Sequence, residues 1–141
     1  MLQFPPTSST LQRLCGTLLL ACALGGCMSQ EIVEGPTYPE EKKITAVLDI
    51  QVLRDETELT MTNSTARTIT PSRAWVNEWW SREFPGLAPG QTITLSLKEF
   101  KDRFGDGFRA GGFWATQNPD ALVKFEVEQG DGLVGFVVIG Q

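Results

Sequence analysis

From Ile44 to the end of the chain, apolar residues recur with a period of two. A strand sends successive side chains to opposite faces, so this alternation builds a half-buried sheet and not a helix. Ile44, Ala46, Leu48, Ile50 and Val52 alternate with Thr45, Asp49 and Gln51. Leu59 and Met61 alternate with Glu58, Thr60 and Thr62, and Asn63-Ser64 follows as a turn signal. The pattern predicts a third strand over 73–80 and a fourth carrying Ile93, Leu95 and Leu97. A fifth is expected over 113–116, a sixth carries Val123, Phe125 and Val127, and a seventh spans 133–139. The last is apolar on both faces, which suits a central strand. Gln129-Gly130-Asp131-Gly132 between the last two is the strongest hairpin signal in the chain.

Ser96-Leu97-Lys98-Glu99 has the form of a capping box, and Gly105 stands where a left-handed C-terminal cap falls. Leu97, Phe100 and Phe104 recur between them at helical spacing, so one short helix is expected to interrupt the strands. Seven short strands with turn signals between them point to an all-β domain. The expected architecture is an antiparallel β-sandwich, with a small β-barrel as the alternative. The segment Leu87-Ala88-Pro89-Gly90-Gln91-Thr92-Ile93-Thr94-Leu95 is similar to a loop-strand corner of bacterial immunoglobulin-like or fibronectin-like domains. That resemblance implies the sandwich architecture and nothing about activity.

The first part of the chain reads differently. Residues 14–24 form an apolar, uncharged run, with Arg13 as the only charge before it. A membrane-spanning helix needs about 20 apolar residues, whereas the hydrophobic region of a secretory signal needs about 7–15. Leu24-Gly25-Gly26-Cys27 then resembles the lipobox of bacterial lipoprotein precursors. The resemblance implies cleavage between Gly26 and Cys27, and lipid attachment to the Cys27 thiol. Two acyl chains anchor stably where one binds only marginally. Met28 follows the cysteine, and the absence of Asp there implies the outer membrane of a two-membrane bacterium. Cys15 and Cys22 fall inside the removed segment and read as small hydrophobes. The expected organisation is a signal segment at 1–26, a lipidated cysteine with a Pro- and Glu-containing tether at 27–43, and the β domain at 44–141.

The net charge is −5 and no basic cluster occurs, which argues against nucleic acid as a partner. Histidine is absent, which removes the commonest general base and metal ligand, and with it every histidine-dependent nucleophilic dyad. Glu99, Asp102 and Asp106 lack the ligand spacing of a calcium loop. No phosphate-binding or nucleophile-elbow motif is present. No cofactor is expected, and the chain reads as non-enzymatic. Trp75-Val76-Asn77-Glu78-Trp79-Trp80 holds three of the four tryptophans. Trp75, Asn77, Trp79 and Trp80 are therefore the candidate binding residues, for another envelope protein or for a glycan of peptidoglycan or surface polysaccharide. Glu78 beside them would serve a glycosidase only with a second carboxylate in a shared cleft.

Overall fold

The computed structural model describes residues 34–140. The signal segment, its Gly26/Cys27 cleavage site and the Cys27 lipid handle lie outside the described residues. Among the described residues no helix is long and apolar enough to cross a membrane.

The domain is all-β. Its strands are β1 (Ile44–Asp55), β2 (Glu58–Thr62), β3 (Ser72–Val76), β4 (Trp80–Phe84), β5 (Thr92–Ser96), β6 (Phe125–Gln129) and β7 (Gly132–Ile139). They form one sheet in the order β4-β3-β6-β7-β1-β2-β5, curled into a half-barrel. Neighbours are antiparallel except at the centre, where β1 and β7 run parallel. The expectation of an antiparallel sandwich is corrected here on both counts. One sheet replaces two, and its middle pair is parallel. β7 does sit mid-sheet, as its two apolar faces require, and the β6–β7 hairpin turns through Gly130 at φ 57° with Gln129 opposite Gly132.

Three elements differ from the sequence reading. The strand expected over 73–80 is a hairpin, with Asn77 and Glu78 at φ 50° and 60° and Trp79 N–H donating to Val76 O at 3.1 Å. Two successive positive φ values give the tight turn that matches strand twist. The expected helix shrinks to one 3₁₀ turn, Leu97–Glu99, and the Ser96 hydroxyl makes no cap. Residues 113–116 form no strand but lie in an exposed loop.

The concave side holds the core. Ile50, Val52, Leu59, Met61, Val76, Phe84, Phe125, Val127 and Phe136 supply it from the strands. Leu97, Phe100, Phe108 and Leu122 cover it from the connections. Phe125 stacks on Phe136, with Phe84 and Phe100 meeting them edge-on. After β5 the chain crosses to the opposite edge, where Lys101 exchanges backbone hydrogen bonds with Ser81 of β4 at 2.8 and 3.0 Å. The two open edges of the sheet are thus linked across the core without a full barrel closing.

The convex side is covered at one place. Residues 34–43, expected as the second half of the tether, lie against β3, β6 and β7 as a strap. Gly35 N–H donates to Arg103 O at 2.7 Å, and Leu133 N–H donates to Lys43 O at 3.0 Å. Tyr38 meets the Trp75 ring edge-on at 5.4 Å, and Lys42 pairs with Glu128 at 2.6 Å. Trp75 and Glu126 point away from the concave core, yet the strap leaves them 1% and 0% exposed.

Candidate functional site

The four sequence candidates meet different fates. Trp75 is buried beneath the strap, its indole N–H donating to Glu128 Oε1 at 2.8 Å. Asn77 holds the hairpin turn to the segment entering β6. Its Oδ1 accepts from Val123 and Lys124 N–H at 2.8 and 3.0 Å, and its Nδ2 donates to Ala121 O at 2.7 Å. Trp80 packs edge-on against Phe108. Only Trp79 presents substantial surface, at 48% exposure. Its indole N–H donates to Asp102 Oδ2 at 3.2 Å, which fixes the ring's orientation. The other Asp102 oxygen accepts the Phe104 and Asp106 N–H groups at 2.9 Å each. That carboxylate closes a turn.

Trp79 borders a cleft of about 130 Å³ between the strap and the β3–β4 turn. The strap contributes Pro36, Thr37, Tyr38 and Glu40, and the other wall is Glu78, Trp79 and Arg103. Beneath it lies a charged network. Glu126 Oε2 accepts the Tyr38 hydroxyl at 2.8 Å. Its Oε1 lies 3.0 Å from Lys124 Nζ but takes no hydrogen bond of good geometry. The same ammonium pairs with Glu78 at the cleft wall. Burial works against the charge on Lys124, but the two carboxylates outweigh it and its pKa is raised. At Glu128 burial likewise opposes ionisation. The bonds from Lys42 and Trp75 prevail and hold the carboxyl below its ordinary range.

Burial first, then the hydrogen bond to Glu126, pushes the Tyr38 phenol well above its ordinary 10.0. A raised pKa means that the folded state keeps the proton after the unfolded chain has lost it. The docked tyrosine therefore adds stability that is complete below pH 10 and is lost as pH rises past that value. Tyr38 is the only tyrosine in the chain, so phenolate absorbance reports it alone. The expected titration midpoint lies well above 10 in the folded protein and returns to about 10 in urea. A folded midpoint at the ordinary value would show that the strap is not docked.

A second exposed aromatic feature was not anticipated from sequence. Phe113 and Trp114 are 89% and 88% exposed, their rings edge-to-face at 4.7 Å. They are the central residues of a turn closed by Ala115 N–H to Gly112 O at 3.0 Å. The loop is clasped at its base. Asp120 N–H donates to Arg109 O at 2.8 Å, and the Arg109 guanidinium grips the Asp120 carboxylate. That hydrogen bond holds Asp120 below its ordinary pKa. Arg54 reaches across from β1 to Ala110 O at 2.9 Å and Asp120 O at 2.6 Å. Gly111 and Gly112 turn the chain outward at φ 84° and 108°, values that a side chain would strain. The sequence signal was the stretch 110–119, AGGFWATQNP, ten residues without a charge in a chain where 21% are charged.

Among the described residues no group of histidine, cysteine and acidic side chains is placed to hold a metal ion. No protein-family model matches the chain, and no curated protein and no solved structure shows significant similarity to it.

Proposed function

We propose that this chain is a lipoprotein of the bacterial envelope, held on the outer membrane through Cys27, whose β domain binds another envelope protein without catalysing a reaction. The observation that carries the binding role is the Trp79 cleft. It brings together a tryptophan, a tyrosine and an arginine, the residue types that dominate binding hot spots. Trp79 and Tyr38 are held in place by Asp102 and Glu126, so little side-chain entropy remains to be lost on binding. A cleft of about 130 Å³ takes one protruding side chain.

The same cleft contains two carboxylates, Glu40 and Glu78, which a hydrolase would need. Glu78, however, is neutralised by Lys124, and Glu40 is exposed. That favours binding over hydrolysis. A half-exposed indole beside polar groups also suits a sugar ring, so a glycan is the second reading.

Trp79→Ala separates these roles. The substitution should cost the fold less than about 1 kcal/mol, because half of the ring is already in water. It should weaken capture of the envelope partner by about 30-fold, the size of a hot-spot loss. Equal recovery of the partner by the variant would remove the cleft from the interface. Indole fluorescence that shifts on titration with peptidoglycan fragments, and stays flat in the variant, would instead favour the glycan.

A further inference from the structure

The strap limits how far the domain can stand from a membrane. With residues 27–43 free, the chain could extend to about 55 Å, but the fold begins to hold it at Gly35. Gly35 lies eight positions after Cys27, and eight such steps span at most about 28 Å in any conformation. A domain of this length has a radius of gyration of about 13 Å. On the lipid-anchor reading, on which this inference rests, the domain is confined to within about its own diameter of the bilayer. Its surface then samples the lipid interface continuously, at high effective concentration.

One surface feature has the chemistry of that interface. The 110–119 loop is uncharged, so entering the headgroup region desolvates no ion. Its tip carries the two most exposed large apolar side chains among the described residues. Tryptophan is the residue enriched at membrane–water boundaries, because its ring is apolar and its N–H is polar. Phe113 and Trp114 project from a turn, Phe113 also edging an open depression shared with Arg54, Glu56 and Asp120, and the Arg109–Asp120 and Arg54 contacts hold that turn before any membrane is met.

We propose that the Phe113–Trp114 tip inserts into the interfacial region of the membrane that carries the lipid anchor, as a second contact that fixes the domain's orientation. A single aromatic tip binds a bilayer weakly by itself, and the anchor makes the contact intramolecular.

The test uses the full chain, produced in a bacterium fed a labelled fatty acid and reconstituted in phosphatidylethanolamine–phosphatidylglycerol vesicles with acyl chains brominated near the headgroup. Bromine quenches only indoles at the interface. The protein should lose at least twice as much emission as its Trp114→Phe variant, which keeps an apolar tip and removes one fluorophore from an exposed position. Label at Cys27 with equal quenching in the two proteins would overturn the tip insertion and leave the anchor intact. Trp114 unquenched in vesicles but shielded from acrylamide in native envelopes would assign the tip to a protein partner, which also overturns the proposal. Absence of label, with Cys27→Ala behaving like the unaltered chain, would overturn the anchor reading itself.

Discussion

Trp75→Ala should destabilise the domain by about 3–5 kcal/mol, seen as a fall in the urea midpoint at unchanged slope. Folding free energies of small domains are about 5–15 kcal/mol, so the variant loses a large share of its stability. The reason is specific to the convex face. Trp75 is 1% exposed although it points away from the concave core, because the strap closes over it. Truncation removes the ring that Tyr38 meets edge-on and the N–H that donates to Glu128. Glu128 keeps Lys42, which limits the electrostatic part of the loss. The strap can settle partway into the cavity, which favours the lower end of the range. Its loosening has a separate signature, since the Tyr38 phenol should titrate closer to 10.0 in the variant. Trp79→Ala, four residues away, should cost less than about 1 kcal/mol. Equal costs at the two positions would mean that no buried layer exists under the strap.

That contrast shows what the sequence could and could not convey. Four of the seven strands, β1, β2, β5 and β6, follow from the period-two pattern, β7 from a run that is apolar on both faces, and the Gly130-Asp131 turn from its residues alone. Alternation records that one face of a strand is apolar. It does not record what covers the other face. Lys124, Glu126 and Glu128 alternate with the apolar Val123, Phe125 and Val127, and nothing in that pattern marks Glu126 as buried, whereas the structure buries it beneath a tyrosine 88 positions earlier. Residues 73–80 read as one strand because Asn77-Glu78 lacks the glycine that usually marks a two-residue turn. The turn is fixed by tertiary contacts instead, through the three hydrogen bonds of the Asn77 side chain to residues 121–124. Residues 113–116 read as a strand, and the structure places them in an exposed loop. Leu97 and Phe100 fit a helical period as well as a 3₁₀ turn. The shorter form is selected by Leu97 N–H to Thr57 O at 2.8 Å and by the Lys101 bridge to β4. The parallel β1–β7 pair joins the two ends of the domain sequence, and no local pattern specifies it.

The second large effect is expected at Lys124. Its ammonium serves Glu126 below the cleft and Glu78 at the cleft wall, so one residue supports both sides of the candidate site. Lys124→Ala leaves the Glu126 carboxylate fully buried with only the Tyr38 hydroxyl as partner. Removing one member of a fully buried pair costs about 3–5 kcal/mol. The lysine side chain is 35% exposed, which lowers the expectation to about 2–3 kcal/mol. Glu126→Gln keeps an oxygen for Tyr38 and removes the charge, so it should cost about 1–2 kcal/mol. In Lys124→Ala/Glu126→Gln no buried charge is left unpaired. The double variant should therefore be at least 1 kcal/mol more stable than the sum of the single losses predicts. Additivity within about 0.5 kcal/mol would show that the ammonium does not sustain Glu126. Binding distinguishes the two walls. Glu126→Gln leaves the Lys124–Glu78 pair in place and should bind the proposed envelope partner almost as tightly as the unaltered chain. The double variant frees Glu78 and should bind more weakly despite its regained stability. The pH dependence points the same way. A raised lysine pKa adds stability that is complete below the ordinary 10.5 and fades as pH rises through the folded value, the same direction as Tyr38. Both groups belong to one network, so the strap and the cleft should loosen together in alkali, while the Phe113–Trp114 loop, clasped by an arginine and a carboxylate of lowered pKa, should stay closed there and open in acid.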